Sequence, residues 1–478
     1  MKYSMKFVLP TVLVCLLMSL FVSPLVRLYT HDNSVFTLAG KILNEGGRLY
    51  VDFFDHKGPI FLWLNGLGYF LTKNDWGPWL LDTLLRTTAI VTFLIGIKRH
   101  FQLSWQRLLL GGFLLAVVPA APNFPETFCM ELAMLSVGLL LVKCCWVNLF
   151  LIGVLGGMAF MTKQTCISIF FVLFCYVVMD REKRKYAIPL VLGGVLLVGA
   201  CLLVLWLRGN LSDYFRCCYL FNLHYAATHG GSVIMKMNLI LVYIASTVVM
   251  AALAFLRPMP DGVDRGVVLC WLTAVAWEIL LLLKAPGPWD YQFAVLRFLL
   301  VIPAFIILID KSRTIRRELP ILLVLSFYIY WPTMRSAIHN AVHYAKHGEL
   351  IYLNFNFDAS SQLVKTLSRY PNVPLLMWGS ACSVYQQSGR KALFSPYYYF
   401  APLDHDGYLS STEIDCMTKA MEEQEFIFVD VWNGSIMSHQ GSEILRRVRE
   451  KILKDFKLVE SGVPSFKMYI PRQWDEMK

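Results

Sequence analysis

Long apolar runs recur along the first two thirds of the chain and then stop. A membrane-crossing helix needs roughly 20 mostly apolar residues. By that measure about eleven spans are expected, centred near residues 15, 88, 113, 135, 152, 172, 196, 246, 275, 300 and 326. Residues 60–71 are apolar but too short to cross, and their glycines and aromatics suit a helix lying at the interface. From about residue 350 the pattern becomes that of a soluble unit. Helical periodicity covers 361–370, 413–423 and 441–454, and extended runs cover 374–378, 426–431, 456–460 and 465–470. The expected fold class is a membrane α-helical bundle over 1–335, of about 11 transmembrane helices with interfacial helices in a first outer loop (about 25–75). A small extracytoplasmic α/β domain is expected over 336–478.

Composition narrows the class. The 478 residues are 56% hydrophobic and 16% charged, with a mean hydropathy of +0.53, more apolar than a water-facing surface tolerates. The net charge of +11 sits largely in short Lys/Arg runs between spans, and no nucleic-acid module is present, so no nucleic-acid partner is expected. Placing those runs inside puts Lys98-Arg99-His100 with Arg107, Lys143, Arg181 with Lys183-Arg184-Lys185, Arg257 with Arg265, and Lys311, Arg313 and Arg316-Arg317 in the cytoplasm. The first loop, Glu126, Lys163 and the tail then face the opposite side. The apolar run after Lys2 and Lys6 has no small-x-small cleavage site and reads as a signal anchor. Most of the 12 cysteines lie in apolar runs as small hydrophobes and fix no redox compartment; pairing among Cys217, Cys218, Cys382 and Cys416 is open in an oxidising space, though nothing in their spacing demands it.

Polarity gathers in the first outer loop, in Asp32-Asn33-Ser34 and again from Gly46 to Pro59. Ionisable groups held against lipid are costly and mark sites by default. Transfer of a sugar to a hydroxyl with inversion needs a carboxylate to take the proton and cations to hold a departing phosphate. Asp32 is the candidate base, or else the cap of the helix after it. Lys57, His56 and Lys163 are candidates for the phosphate, or else interfacial anchors. Asp55, Glu126 and Tyr291 are candidates for substrate contact; Asp52 reads as a solvated loop residue. Asp82 and Arg86 share a helix face and read first as an ion pair, with Arg86 beside the donor phosphate as the second reading. Asp404-His405-Asp406 imitates a metal-binding triplet, but it lies on the side that nucleotide sugars do not reach.

The loop pattern G-x-x-Y-x-D-x-x-D-H-K-G-P (47–59), the stretch from Gly156 to Gln164, and the tail motifs Met377-Trp378-Gly379-Ser380 and Tyr385-Gln386-Gln387-Ser388-Gly389-Arg390 resemble bacterial membrane glycosyltransferases of the C-type (GT-C) superfamily. Their relatives include protein mannosyltransferases and the enzymes that put aminoarabinose on lipid A. The resemblance implies hexosyl or pentosyl transfer from a polyprenyl-phosphate-linked donor at the outer leaflet of the inner membrane. The acceptor would be a surface glycan, lipopolysaccharide, lipid or protein hydroxyl. It implies Asp32 as the catalytic carboxylate and Lys57 near the lipid phosphate. It implies no bound cofactor and leaves a divalent metal open. A His-Tyr pair common in the family is replaced here by Asp290-Tyr291, so that phosphate contact does not carry over. Two other classes fit part of the pattern. One is a lipid-linked oligosaccharide flippase or transporter, although no repeat symmetry or mid-membrane break is visible. The other is a non-catalytic binder using the aromatics Phe394, Tyr397, Tyr398, Tyr399 and Phe400 as a stacking surface.

Overall fold

The computed structural model describes residues 5–24, 32–116, 123–228, 241, 263, 265–284, 290–310, 320, 338, 342, 346, 359–399, 403, 408–431, 435–437, 442–463 and 466–475. Helices α1 (Met5–Leu20), α2 (Asp32–Asn44), α3 (Pro59–Thr72), α4 (Trp76–Phe101), α5 (Trp105–Ala116), α6 (Pro125–Val142), α7 (Trp146–Phe160), α8 (Ser168–Met179) and α9 (Ala187–Leu207) follow one another through the bundle. After α10 (Leu211–Phe215) comes a single π-turn, Arg216–Leu220, which runs into α11 (Phe221–Thr228); α12 (Arg265–Lys284) and α13 (Ala294–Ile309) complete the described membrane part. Nine of the expected span centres fall on these helices, and the two near 246 and 326 lie outside the described residues. Among the described residues five helices are long and apolar enough to cross a membrane, so the chain is a multi-pass membrane protein. α9 shows why: Ile188, Val195 and Leu203 are exposed on a helix with no charge between Ala187 and Leu207, a surface only lipid suits. The 14-residue α3 is too short to span, as its sequence indicated.

Small residues let these helices touch. A Cβ on Gly153 of α7 would lie 1.9 Å from the Leu190 carbonyl of α9, so only glycine permits that approach. Buried charge joins three further helices. Arg86 of α4 donates to Asp82 at 2.5 Å, to Glu131 of α6 at 2.9 Å and to Ser19 of α1 at 3.4 Å.

The tail contains α14 (Ala359–Leu367), β1 (Leu375–Trp378), α15 (Ser383–Ser388), α16 (Ser411–Glu423), β2 (Ile427–Asp430), α17 (Glu443–Asp455), β3 (Phe456–Val459) and β4 (Lys467–Pro471). The strands form one mixed sheet in the order β1-β2-β4-β3; β1 runs parallel to β2, and β4 runs antiparallel to both β2 and β3. β1 and β2 are buried at every position, matching the uninterrupted apolar run of β1 and the near-continuous one of β2, which ends at Asp430. α17 buries Ile444, Leu445, Val448 and Ile452 on one face, and a Ser410–Glu413 capping box starts α16. Arg390 donates to the carbonyls of Leu367, Tyr370, Pro371 and Val373 at 2.6–3.2 Å, which makes it a structural clamp.

The tail packs on the first loop. Ser34 donates to the Ser380 carbonyl, Lys41 to the Gln386 carbonyl, and the Phe54 N–H to the Pro396 carbonyl. Phe54 lies 5.5 Å from Tyr397 and 5.8 Å from Tyr399, and Phe53 lies 5.7 Å from Tyr398. This corrects the stacking-surface reading: Phe394, Tyr397 and Tyr399 are buried against the loop and the tail core. The described cysteines are all free, Cys217, Cys218, Cys382 and Cys416 among them. Phe400, Asp404-His405-Asp406 and the boundary near 335 lie outside the described residues.

Candidate active site

Asp32 is the first residue of α2, so its carboxylate sits at the positive end of that helix. Tyr291 donates to Asp32 Oδ2 at 3.3 Å while its ring stacks on Phe124 at 4.4 Å and 22°. Tyr291 thus fixes the Asp32 carboxylate from one side. Beneath it, Asn123 donates to the Asn33 carbonyl at 3.4 Å and to Asn65 Oδ1 at 2.9 Å, fixing the start of α2.

The 50–58 turn is held from several sides. Tyr50 donates to the Lys57 carbonyl at 2.9 Å, Cys218 approaches the same carbonyl at 3.1 Å, and Asn222 donates to the His56 carbonyl at 3.0 Å. Gly58 then docks on the turn after α7: its N–H donates to the Thr162 carbonyl at 2.8 Å, and a Cβ there would lie 1.9 Å from the Met161 carbonyl. That backbone contact is what brings Lys57 beside Lys163.

Asp55 is 1% exposed. Its Oδ1 accepts the Lys57 N–H at 2.8 Å, and its Oδ2 is buried with no hydrogen-bond partner among the described residues. Burial pushes its carboxyl up to about 6 against the pull of Lys57, with Asp32 adding to the rise. Lys57 is pulled down from the ordinary lysine range by burial and by Lys163, with Asp55, Glu126 and Asp32 opposing. Its ammonium contacts His56 Nε2. Lys163 pairs with Glu126, whose second oxygen is buried and has no hydrogen-bond partner among the described residues.

One electrostatic cluster therefore holds Asp32, Asp55, Lys57 and Lys163 with Glu126, flanked by His56 and Tyr291. Arg86 is not part of it: only 2% exposed, it pairs with the buried carboxylates of Asp82 and Glu131, the ion-pair arrangement that the shared helix face of Asp82 and Arg86 indicates. Asp52 accepts the exposed Arg48 N–H at 2.8 Å and is turn structure. Tyr50, Cys218 and Asn222 escaped the sequence reading, because each acts on a backbone carbonyl and no side-chain pattern marks that. Among the described residues no group of three or more His, Cys, Asp or Glu side chains is arranged to hold a metal ion.

Against solved structures the chain is similar to ArnT from Cupriavidus metallidurans in the apo state, with a TM-score of 0.59 and 13% identity over 96% of this chain and 97% of that one. It is also similar to the oligosaccharyltransferase of Archaeoglobus fulgidus in the apo form, with a TM-score of 0.52 and 10% identity over 99% of this chain and 75% of that one. No protein-family model matches the chain, and no curated protein matches it in sequence. At these identities the likeness shows the fold alone, an arrangement of helices and tail shared with those two proteins.

Proposed function

We propose that the chain is an inverting glycosyltransferase that moves a sugar from a polyprenyl-phosphate-linked donor to a hydroxyl acceptor on the extracytoplasmic side of a bacterial inner membrane. The observation that carries this reading is the cluster itself: a carboxylate at a helix start in the first loop, beside Lys57 of the same loop and Lys163 of the turn after α7. The GT-C fold, shared with an enzyme whose name states oligosaccharide transfer, supports the same class. Asp32, oriented by Tyr291, takes the acceptor proton. Lys57 and Lys163 hold the phosphate that leaves with the lipid, and the anion restores to Lys57 the charge that burial weakens. His56 helps to place Lys57. Glu126 holds Lys163 and presents its second oxygen to a substrate hydroxyl. Supply favours a lipid-borne donor, since nucleotide sugars stay in the cytosol. The acceptor is a surface glycan, lipopolysaccharide, lipid or protein hydroxyl.

The test is mass spectrometry of lipid-linked sugars and surface glycans from cells with and without the gene. The expected result is an accumulated polyprenyl-phosphate sugar together with one missing sugar on a surface product. Unchanged donor pools and glycans would overturn the reading.

A further inference from the structure

Asp55 is left unexplained by base, phosphate clamp and acceptor contact. It is a buried carboxylate in a site already holding Asp32 and Glu126 against two lysines, and the donor phosphate adds another negative charge. One oxygen is pinned by the Lys57 N–H, while Oδ2 has no partner among the described residues. A carboxylate so placed next to the phosphate-holding lysine is poised to carry a proton and to present it on Oδ2 to the phosphate.

We propose that Asp55 is the acid of the transfer: with the donor bound it is protonated, and it passes that proton to the phosphate oxygen from which the sugar departs. This rests on the transfer reading above. The acceptor oxygen forms a bond to the anomeric carbon while the bond from that carbon to the phosphate oxygen breaks. The acceptor proton goes to Asp32 and the Asp55 proton goes to the departing phosphate, which leaves as a singly charged monoester. One carboxyl gains a proton and the other loses one, so the site's net charge is the same before and after the step. Exchange with water after product release resets both.

The surroundings favour the protonated form. Asp55 is faced by Tyr50, His56 and Lys57 on its own loop, by Asp32 from α2, by Cys217 and Cys218 from the π-turn, and by Cys382 and Tyr399 from the tail. Lys57 is the cation in that set that opposes protonation most directly, and a bound phosphate diverts it. Burial already raises the carboxyl to about 6, toward the neutral range.

The experiment measures kcat and KM from pH 5 to 9 in lipid vesicles, for the unmodified protein, Asp55→Asn, Asp55→Glu and His56→Gln, with a polyprenyl-phosphate sugar. That donor is a phosphodiester, so its charge is constant across the range. Binding of a methyl polyprenyl phosphodiester is measured alongside. The expected result is a kcat that falls on the alkaline side in the unmodified protein and in His56→Gln. In Asp55→Asn that fall is absent and kcat is lower by roughly 100-fold or more, while KM and phosphodiester binding hold; Asp55→Glu recovers part of the rate. An alkaline fall that persists in Asp55→Asn, or that disappears in His56→Gln, overturns the proposal. So does lost phosphodiester binding in Asp55→Asn, which would make the group a binding residue. No transfer by the unmodified protein defeats instead the reading on which the proposal rests.

Discussion

At the scale of single residues, the site costs the fold stability. Asp55 is held above its unfolded value, so below about pH 4 it is protonated in both states and carries no cost. Above about pH 6 it is ionised in both, and burial then destabilises the folded state by about 3 kcal/mol. Asp55→Asn is expected to melt at a higher temperature than the unmodified protein at pH 7.5, with the gain shrinking to nothing by pH 4; thermal melts across that range check it. The charges around Arg86 behave oppositely. Removing Arg86 alone leaves Asp82 and Glu131 buried and unmatched, at a cost of about 3–5 kcal/mol. Replacing all three together, Asp82→Asn, Arg86→Met and Glu131→Gln, is expected to restore folding and leave the donor KM within about twofold, read by melting and steady-state kinetics. A large rise in KM would return Arg86 to the phosphate. Residues such as Asp32, Asp55, Lys57 and Lys163 were legible in the sequence because charge against lipid is conspicuous. Cys218 and Asn222 were not, since their partners are backbone carbonyls 161 and 166 positions away.

At the scale of elements, the site depends on one backbone docking. Gly58 lies against the 161–162 turn with no room for a Cβ, and the Ile60 N–H donates to the Met161 carbonyl at 3.3 Å. Gly58→Ala is expected to separate Lys57 from Lys163, lowering transfer at least tenfold and reducing the melting temperature. A fully active Gly58→Ala protein would show that the two lysines need not meet. The helices and strands of the tail were readable from periodicity to within a few residues, because each buries one clear apolar face or run, as α17 and β1 do. The six-residue α15 was not, since a single turn has no period to detect. The part-exposed pairing of Arg216 with Glu413, two contacts at 2.7 Å, was equally invisible because it joins the π-turn to the start of α16 across 197 positions.

At the scale of the whole molecule, the tail and the membrane part share one interface around the first loop. Phe53 and Phe54 sit against Tyr397, Tyr398 and Tyr399, so the turn that carries Asp55 is walled by the tail. The change from long apolar helices to a small mixed sheet was legible from the collapse of hydrophobicity alone. Their packing was not, because an aromatic run reads the same whether it meets a ligand or a neighbouring loop. The measurement that tests the account most directly is sugar transfer by purified protein in lipid vesicles, from a polyprenyl-phosphate sugar to a hydroxyl acceptor, comparing the unmodified chain with Asp32→Asn. Transfer by the first is expected, with a fall in kcat of roughly 100-fold or more in the second and KM little changed. Full activity in Asp32→Asn would contradict it.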